Sequence, residues 1–319
     1  MSKGMKVRIG ITLGDCAGIG PEIVDLALAS GRVPKSADYI VIGRLPNRKP
    51  VKPTLETARA AAAALEEAVT LARHRKLDAV VTGPIHKARM YEVGFNFPGQ
   101  TEFFADRCGV RNFAMCLTGG KIRVGLVTTH IPLSQVSRAL KQSEIVRVGL
   151  LLSDFLRCWP YWRSPLRAKG GRSQQNPRIA VAGLNPHAGE SGKIGDEEIR
   201  IISPAIAQLK SEIRDPKSEI IGPVSPDTLF HRMIEGEFDA ALCMYHDQGL
   251  IPLKLHAFRT GVNVTLGLPF PRTSPDHGTA FDIAGKRIAC PDSMIAAINL
   301  AVELAQAEKF RQMRQRKKH

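Results

Sequence analysis

Along the first third of the chain, short apolar runs alternate with longer segments in which apolar residues recur at helical spacing. Strands are predicted where these runs occur, at 6–12, 39–42 and 77–82. Apolar residues at helical spacing predict helices at 21–29 and 54–74. Pro21 stands at a favoured first helical position, and Thr54 is expected to cap the second helix. This alternation predicts an α/β fold with a largely parallel sheet.

The rest of the chain continues the alternation with one interruption. Further strands are predicted at 113–117, 122–128, 178–182 and 240–244, and further helices at 143–157, 197–212 and 293–312. Between them, residues 158–176 contain both tryptophans and show no apolar period, so we expect a surface insertion there. A chain of 319 residues is long enough for two domains.

The composition is ordinary for a folded soluble protein, with 44% hydrophobic and 24% charged residues. No apolar run reaches about eighteen residues, so no transmembrane helix is expected. The N-terminal residues lack the features of a signal peptide, which makes the cytoplasm the expected location. The six cysteines are scattered without a CxxC pair, which argues against a disulfide framework or a zinc ribbon.

The formal net charge of +15 is concentrated in two short segments. Residues 157–178 and 309–319 together hold twelve lysines and arginines and no acidic residue, which leaves +3 for the rest of the chain. No basic stripe follows one helix face, so specific nucleic-acid binding is not expected. Solubilising charge is the simpler interpretation, and weak attraction of phosphate or nucleic acid is the alternative.

Three histidines follow apolar runs that are predicted to be strands. His130, His187 and His246 lie 57 and 59 residues apart, so no local motif joins them. Parallel strands bring their carboxyl ends to one edge of a sheet, where three imidazoles would suit a divalent metal with open positions. Structural, hydrogen-bonded histidines are the alternative. Asp247 is expected to orient a histidine, to act as a base or to cap a helix.

A group of donors near the C-terminal end suits an anionic ligand. Lys254, Asn263, Arg272, Thr273 and Ser274 lie within about twenty residues of one another. Lysine and arginine in a compact polar segment are typical of a phosphate or carboxylate site. An ordinary solvated loop remains the alternative.

The glycine-rich loop at 14–20 resembles a dinucleotide-binding fingerprint only loosely. It lacks the GxGxxG spacing and has no clear acidic partner about twenty positions further on. A tight turn between the first strand and helix explains it equally well. No standard Rossmann site is therefore predicted.

Seven segments together resemble the 4-hydroxythreonine-4-phosphate dehydrogenase (PdxA) family and occur in that family's order. They are TLGDCAGIGPE at 12–22, TGPIHK at 82–87, PGQTEF at 98–103, THIPL at 129–133, GLNPHAGE at 183–190, MYHDQG at 244–249, and GVNVTLGLPF at 261–270 with RTS at 272–274. The resemblance extends from about residue 8 to about residue 305.

The resemblance implies an isocitrate/isopropylmalate-dehydrogenase-like α/β fold with two lobes and an active-site cleft between them. Residues 1–98 with 275–319 would form the first lobe. Residues 99–274 would form the second, with the metal, the substrate and the dimer interface, and with the insertion at 158–176. It also implies a homodimer with shared active sites.

The resemblance also implies the roles of individual residues. His130, His187 and His246 would bind one divalent metal (zinc, magnesium, manganese or cobalt), shared between subunits. The residues expected to contact the phosphorylated substrate are Gln100, Thr101, Lys254, Asn263 and Arg272. Gln100 stands where the family commonly has a histidine, and glutamine cannot be cationic. Either Lys87 or Asp247 would move the proton.

The reaction implied is the oxidation, with decarboxylation, of 4-phosphooxy-L-threonine to 3-amino-2-oxopropyl phosphate, with NAD (or NADP) as the hydride acceptor. A paralogue with the same chemistry is the nearest alternative, with D-threonate or D-erythronate 4-phosphate or an aromatic cis-dihydrodiol carboxylate as substrate. An acyl or phosphoryl transferase of related fold is a more distant alternative, because transferase chemistry does not require a metal held by three histidines.

Overall fold

The computed structural model describes residues 6–43, 52–159, 177–213 and 218–316. The chain divides into two compact units, which we call the terminal unit (Met1–Arg111 and Arg259–His319) and the middle unit (Asn112–Phe258). The lobes predicted from the resemblance have other boundaries and stay a prediction. From residue 160 onward, the predicted insertion lies outside the described residues.

Strands and helices alternate along most of the described chain. The strands are β1 (Val7–Thr12), β2 (Ala37–Ile42), β3 (Ala79–Thr82), β4 (Ala114–Gly119), β5 (Ile122–Leu126), β6 (Arg178–Ala182), β7 (Glu219–Val224), β8 (Ala240–Cys243), β9 (Val262–Leu266) and β10 (Arg272–Pro275). The α-helices are α1 (Gly20–Ala29), α2 (Leu55–Arg73), α3 (Lys87–Glu92), α4 (Gln100–Arg107), α5 (Leu133–Ala139), α6 (Gln142–Cys158), α7 (Ser203–Glu212), α8 (Pro226–Ile234), α9 (His246–Ala257) and α10 (Asp292–Arg316).

The strands of the terminal unit are arranged in the order β2-β1-β3-β10-β9. The first four are parallel, and β9 runs antiparallel to β10. β1 is buried at five of its six positions, as expected for a central strand covered on both faces.

The core of the terminal unit lies between α2 and a group of aromatic rings. The buried face of α2 has mostly alanines at helical spacing, such as Ala58 and Ala61, together with Leu65, and the buried cluster extends to Phe103 and Phe104. The Thr54 hydroxyl accepts a hydrogen bond from the backbone N–H of Thr57 at 3.2 Å, and the Thr54 N–H donates to the Thr57 hydroxyl at 3.1 Å. The predicted N-cap is therefore confirmed.

The strands of the middle unit follow the order β4-β5-β8-β6-β7. The last four are parallel, and only β4 is antiparallel to its neighbour β5. Helix α6 packs closely on α7, because a Cβ at Gly149 would lie 2.5 Å from Leu209 Cδ2. The parallel strands place their carboxyl ends at one edge, and this edge carries the candidate site.

The predicted α/β class is confirmed, although several elements escaped prediction. Strands β7 and β10 were not predicted. The Gly222-Pro223 pair interrupts the apolar run of β7, and β10 has the polar sequence Arg-Thr-Ser-Pro. The helices α3, α4, α5, α8 and α9 were not predicted either. Within the described ranges, no helix has both the length and the apolar character needed to cross a bilayer.

Candidate functional site

The three histidines singled out in the sequence all lie just beyond strand ends of the middle unit. His130 follows β5, His187 follows β6, and His246 follows β8 as the first residue of α9. Because β5, β8 and β6 are adjacent and parallel, their carboxyl ends lie at the same edge of the sheet.

His130 and His246 lie close to each other. Their ring centroids are 5.6 Å apart and the rings are tilted by 44°. Both line one cavity, together with Tyr245 and Asp247. His246 Nδ1 is 2.7 Å from Asp247 Oδ1, and since an ionised carboxylate only accepts, Nδ1–H is the donor. This tautomer leaves the Nε2 lone pair of His246 available to a metal.

His187 lies apart from this pair, in a left-handed turn that follows β6. Its side chain is 62% exposed, and its Nδ1 is 2.8 Å from Glu190 Oε1. The hydrogen bond to Glu190 raises the pKa of His187, and the charge of the same carboxylate adds to the effect. As with His246, a carboxylate holds Nδ1, and this arrangement leaves the Nε2 lone pair of the neutral imidazole available to a metal.

The turn that carries His187 has an unusual backbone. Five consecutive residues have positive φ: His187 (50°), Ala188 (54°), Gly189 (79°), Glu190 (42°) and Ser191 (58°). Four of them have a Cβ, which makes this conformation cost about 1–2 kcal/mol per residue. Such a segment persists only where its surroundings determine it, and it is a common feature of functional sites.

Two adjacent carboxylates hold the start of this turn. Glu198 is only 3% exposed, and its Oε1 accepts from the backbone N–H groups of Leu184 at 2.7 Å and Asn185 at 2.8 Å. The Asn185 amide also donates to Glu197 at 2.8 Å, and Glu197 in turn accepts from the Ser137 hydroxyl at 2.5 Å. Because Ser137 lies on α5, this chain of hydrogen bonds joins the His130 and His187 segments. The Ser137 and Asn185 hydrogen bonds lower the pKa of Glu197.

Hydrogen bonds also join the other strand ends at this edge. The Thr128 hydroxyl donates to the Met244 carbonyl at 2.7 Å, which links the ends of β5 and β8. Buried Gln248 accepts from the Met244 N–H and donates to the Gly183 carbonyl, both at 2.7 Å, which links the ends of β8 and β6. The three histidine-bearing segments are therefore held at fixed positions within the middle unit.

A metal fits the donor set of this edge, although not as three ligands gathered in one chain. Within the described ranges, no group of three His, Cys, Asp or Glu side chains is close enough to hold an ion. His130 and His246 form a pair, and His187 is presented separately. His187 and His246 each have a carboxylate behind the imidazole, the arrangement typical of metal-ligating histidines.

Arg272 lies at the centre of a second cluster, in the terminal unit. Arg272 is 2% exposed, and its guanidinium donates to three hydroxyls, at 2.5 Å (Thr82), 3.2 Å (Thr265) and 3.4 Å (Thr101). It also donates to Gln100 Oε1 at 3.2 Å. Burial lowers the pKa of Arg272 to about 10, and the charge of Glu102 opposes this shift. The side chain therefore remains cationic at neutral pH among neutral partners.

Two polar atoms beside this cluster have no partner in the described part of the chain. Arg272 Nε and Asn263 Oδ1 are both buried without a hydrogen bond. Buried polar groups are normally paired, so such atoms often mark a place where a ligand binds. Asn263 faces Ser274 across the β9–β10 pair.

The remaining predicted site residues lie in both units. Lys87 is the exposed first residue of α3 in the terminal unit. Lys254 lies on α9 in the middle unit, with its Nζ 5.7 Å from the centre of the Phe258 ring. Gln100 uses both ends of its amide within the terminal unit, because Nε2 also donates to the Gly83 carbonyl at 3.0 Å.

The glycine-rich loop at 14–20 is explained by contacts with the chain's own backbone. A Cβ at Gly20 would lie 2.0 Å from the Leu13 oxygen, and one at Gly18 would lie 2.6 Å from the Thr279 oxygen. The glycines are therefore required by packing, and no residue of this loop is assigned to a cofactor.

The residues that hold the site escaped prediction. Asn185 and Gln248 lie inside sequence motifs that carry the family resemblance, which was a usable signal. Thr82 and Thr265 also lie inside such motifs, at 82–87 and 261–270, whereas Glu198 lies in a π-helical turn (Glu198–Ile202) with no motif around it. Only the folded structure identifies Glu198.

Comparison with known proteins gives a consistent result. Residues 22–301 match the sequence profile of the family described as pyridoxal phosphate biosynthetic protein PdxA. The 4-hydroxythreonine-4-phosphate dehydrogenase of Maricaulis maris is 46% identical over 264 residues, which cover 81% of this chain and 73% of that protein. The enzyme of the same name from Geobacter metallireducens is 39% identical, with 95% of this chain and 97% of that protein covered.

Solved structures agree with this result. A crystal structure of 4-hydroxythreonine-4-phosphate dehydrogenase from Klebsiella pneumoniae has a TM-score of 0.76 and 35% identity, with 94% of this chain and 99% of that chain covered. A terephthalate 1,2-cis-dihydrodiol dehydrogenase from Burkholderia xenovorans has a TM-score of 0.64 and 27% identity, with 93% and 98% covered.

The predicted fold is confirmed by a more distant structure. Isocitrate dehydrogenase from Methylococcus capsulatus has a TM-score of 0.53 and 17% identity, with 96% of this chain and 89% of that chain covered, a likeness of fold alone. The sequence profile and the relatives together cover most of the chain at substantial identity. The chain therefore belongs to the pyridoxal phosphate biosynthetic protein PdxA family.

Proposed function

We propose that this chain catalyses the NAD-dependent oxidation, with decarboxylation, of 4-phosphooxy-L-threonine to 3-amino-2-oxopropyl phosphate, a step of pyridoxal 5′-phosphate biosynthesis in the cytoplasm. The name shared by its relatives supports this reaction. The observation that carries it is the pair formed by His130 and His246 at the strand edge, with Asp247 behind His246.

The metal site would take His130 and His246 from one subunit and His187 from the other subunit of a homodimer. This division is supported by the 5.6 Å between the rings of His130 and His246 and by the exposed position of His187. A divalent metal bound there, whether zinc, magnesium, manganese or cobalt, would lower the pKa of the substrate hydroxyl. The carboxylates behind His187 and His246 would hold both imidazoles in the ligand tautomer.

The phosphate of the substrate would bind at the Arg272 cluster. Among the described residues this buried cation is hydrogen-bonded to hydroxyls and to no carboxylate, and such a cation can attract a dianion strongly. Thr101 and Gln100 already contact the guanidinium, and Asn263 and Lys254 would supply further contacts with the substrate.

The proton of the substrate hydroxyl would move through Lys87. Asp247, the other candidate, already accepts a hydrogen bond from His246 and would act mainly by orienting it. NAD (or NADP) would accept the hydride, and the resulting β-keto acid would lose carbon dioxide. No residue of this chain is assigned to the nicotinamide cofactor.

The test is NADH formation from 4-phosphooxy-L-threonine by the purified protein, with added divalent metal and with a chelator. The rate should fall to background with the chelator and return when metal is restored. His187→Ala should lose bound metal and turnover together, because one of three ligands is gone. Normal metal content and turnover in this variant would contradict the proposal.

A second candidate function is the same chemistry on another substrate. Gln100 stands where the family commonly has histidine, and both ends of its amide are occupied by Gly83 and Arg272. D-Threonate 4-phosphate, D-erythronate 4-phosphate and an aromatic cis-dihydrodiol carboxylate should therefore be compared with 4-phosphooxy-L-threonine in the same assay. The buried Arg272 favours the phosphorylated compounds.

A further inference from the structure

We propose that Glu198 is a positioning residue, which fixes the left-handed turn at Pro186–Gly192 and thereby sets the affinity of the metal site. The inference rests on the proposed role of His187 as a metal ligand. Glu198 itself would touch neither metal nor substrate, and it acts through the backbone that presents His187.

The contacts of Glu198 point to one purpose. Within the part of the chain that the structure describes, the carboxylate of Glu198 accepts from the two residues before the turn: from the N–H groups of Leu184 and Asn185 at Oε1, and from the Asn185 amide at Oε2 at 2.9 Å. Glu198 is 3% exposed, and within the described residues no lysine or arginine pairs with its carboxylate. A buried charge is costly unless it is well hydrogen-bonded, and here the donors all belong to the base of the turn.

The turn also wraps closely around this carboxylate. A Cβ at Gly189 would lie 2.7 Å from Glu198 Oε2, and a Cβ at Gly183 would lie 3.1 Å from Oε1. Both ends of the carboxylate are therefore in contact with the segment 183–189. At Gly189 the carboxylate occupies part of the space of a side chain, and at Gly183 it shares this close approach with Ala188, whose Cα would lie 3.0 Å from the added Cβ.

The strained backbone explains why such an anchor affects metal binding. Four residues with a Cβ have positive φ, so a released turn would leave this conformation for commoner ones. A metal would then have to restore the turn when it binds. The free energy needed to order the turn would make the binding free energy of the metal less favourable. Residues that orient metal-ligating histidines typically change metal affinity by roughly 10–100-fold.

The experiment is a Co²⁺ titration of the intact metal-free protein, followed by the visible absorption of the bound ion. Glu198→Ala should raise the Kd for Co²⁺ by roughly 10–100-fold. Glu198→Gln should recover most of the affinity, because its Oε1 can still accept from Leu184 and Asn185. Amide hydrogen exchange of the peptide 183–192, measured without metal, should be faster in Glu198→Ala and nearer to wild type in Glu198→Gln.

A matched control is available at the opposite edge of the same strands. Asp239 is 5% exposed, and its carboxylate accepts from the Arg178 N–H at 2.7 Å. Asp239→Ala removes a buried carboxylate that binds backbone in the same unit, before β8 instead of after β6. It should lower the melting temperature and leave the Co²⁺ affinity unchanged. Equal losses of affinity in Asp239→Ala and Glu198→Ala would assign Glu198 a merely structural role.

His187→Ala separates failure of this inference from failure of the metal site. Wild-type affinity in His187→Ala would overturn the ligand assignment and the inference with it. Lost affinity in His187→Ala with unchanged affinity in Glu198→Ala would overturn the inference alone. If Glu198→Ala does not fold, Glu198→Asp decides, because its carboxylate is one methylene too short to reach Leu184 and Asn185. Unchanged exchange and unchanged affinity in Glu198→Asp would refute the anchoring role.

Discussion

Arg272 shows how a single side chain can be prepared for a ligand. Its guanidinium is buried in the terminal unit and hydrogen-bonded to threonine hydroxyls and to Gln100, and its Nε has no partner among the residues that the structure describes. Burial lowers its pKa to about 10, so it remains charged at neutral pH. The neutral hydroxyls orient the guanidinium but do not neutralise its positive charge. The charge is therefore left for an anion such as phosphate.

Arg272→Lys should therefore weaken substrate binding more than it affects folding. The lysine ammonium keeps the charge but lacks the planar guanidinium that donates to Thr82 and Thr101 together. KM for the phosphorylated substrate should therefore rise by roughly 10–100-fold. Steady-state kinetics with circular dichroism of both proteins would check this. Arg107→Lys is a suitable control, since Arg107 pairs with Glu66 at the surface. A KM unchanged in Arg272→Lys would contradict the phosphate assignment.

At this scale, the sequence identifies residues by chemical type and motif, and it misses residues whose role comes from contact. Arg272 was predicted from its anion-binding chemistry and Thr101 from the family resemblance. Thr82 and Thr265 lie in motifs of the same resemblance but were not assigned to the site, since a threonine in a strand is common. Their hydroxyls matter only because β3 and β9 place them beside the same guanidinium.

At the scale of elements, Asp78 joins three segments of the terminal unit. It precedes β3, accepts from the Arg8 N–H of β1 at 2.7 Å, and pairs with Lys309 of α10 at 2.8 Å. Desolvation alone would raise its pKa, but the hydrogen bonds from Lys309 and Arg8 outweigh it, and the pKa is lowered. The ionised carboxylate therefore stabilises the fold above the pKa of the unfolded chain, and this contribution is lost as pH falls through the folded pKa.

Asp78→Asn should lower the free energy of unfolding by about 1–3 kcal/mol at neutral pH, because the amide cannot replace the charged acceptor. The difference between variant and wild type should shrink as the pH falls below about 4, where the wild-type carboxyl also becomes protonated. Urea unfolding at several pH values measures this. A pH-independent difference would mean that the carboxylate charge has no part in the effect.

Elements with a strong period were predictable, and elements defined by their partners were not. The alanine-rich α2 and its Thr54 cap follow from spacing and capping chemistry. The left-handed turn after β6 does not, because four of its five positive-φ residues are not glycine. Its conformation is set by contacts such as those of Glu198, which the order of residues along the chain does not reveal.

At the scale of the whole molecule, the position of the three histidines favours a site assembled from two chains. Within one chain, His130 and His246 share a cavity, and His187 stands exposed on its own turn. In a two-fold symmetric dimer, such a turn can supply the third ligand to the partner's pair, and the partner's turn supplies it in return. Sequence motifs alone assign three ligands but not the chain that each comes from.

Mixed dimers test this arrangement directly. A heterodimer of His187→Ala and His246→Ala, co-expressed and purified through two different tags, would have one doubly altered site and one intact site. Its activity should be about half of the wild-type value, because a symmetric dimer has two equivalent sites. A heterodimer of His130→Ala and His246→Ala should be inactive. His130 and His246 of one chain serve the same site, so one site would lack His130 and the other would lack His246. If all three ligands came from the same chain, both heterodimers would be inactive, and the shared site would be excluded.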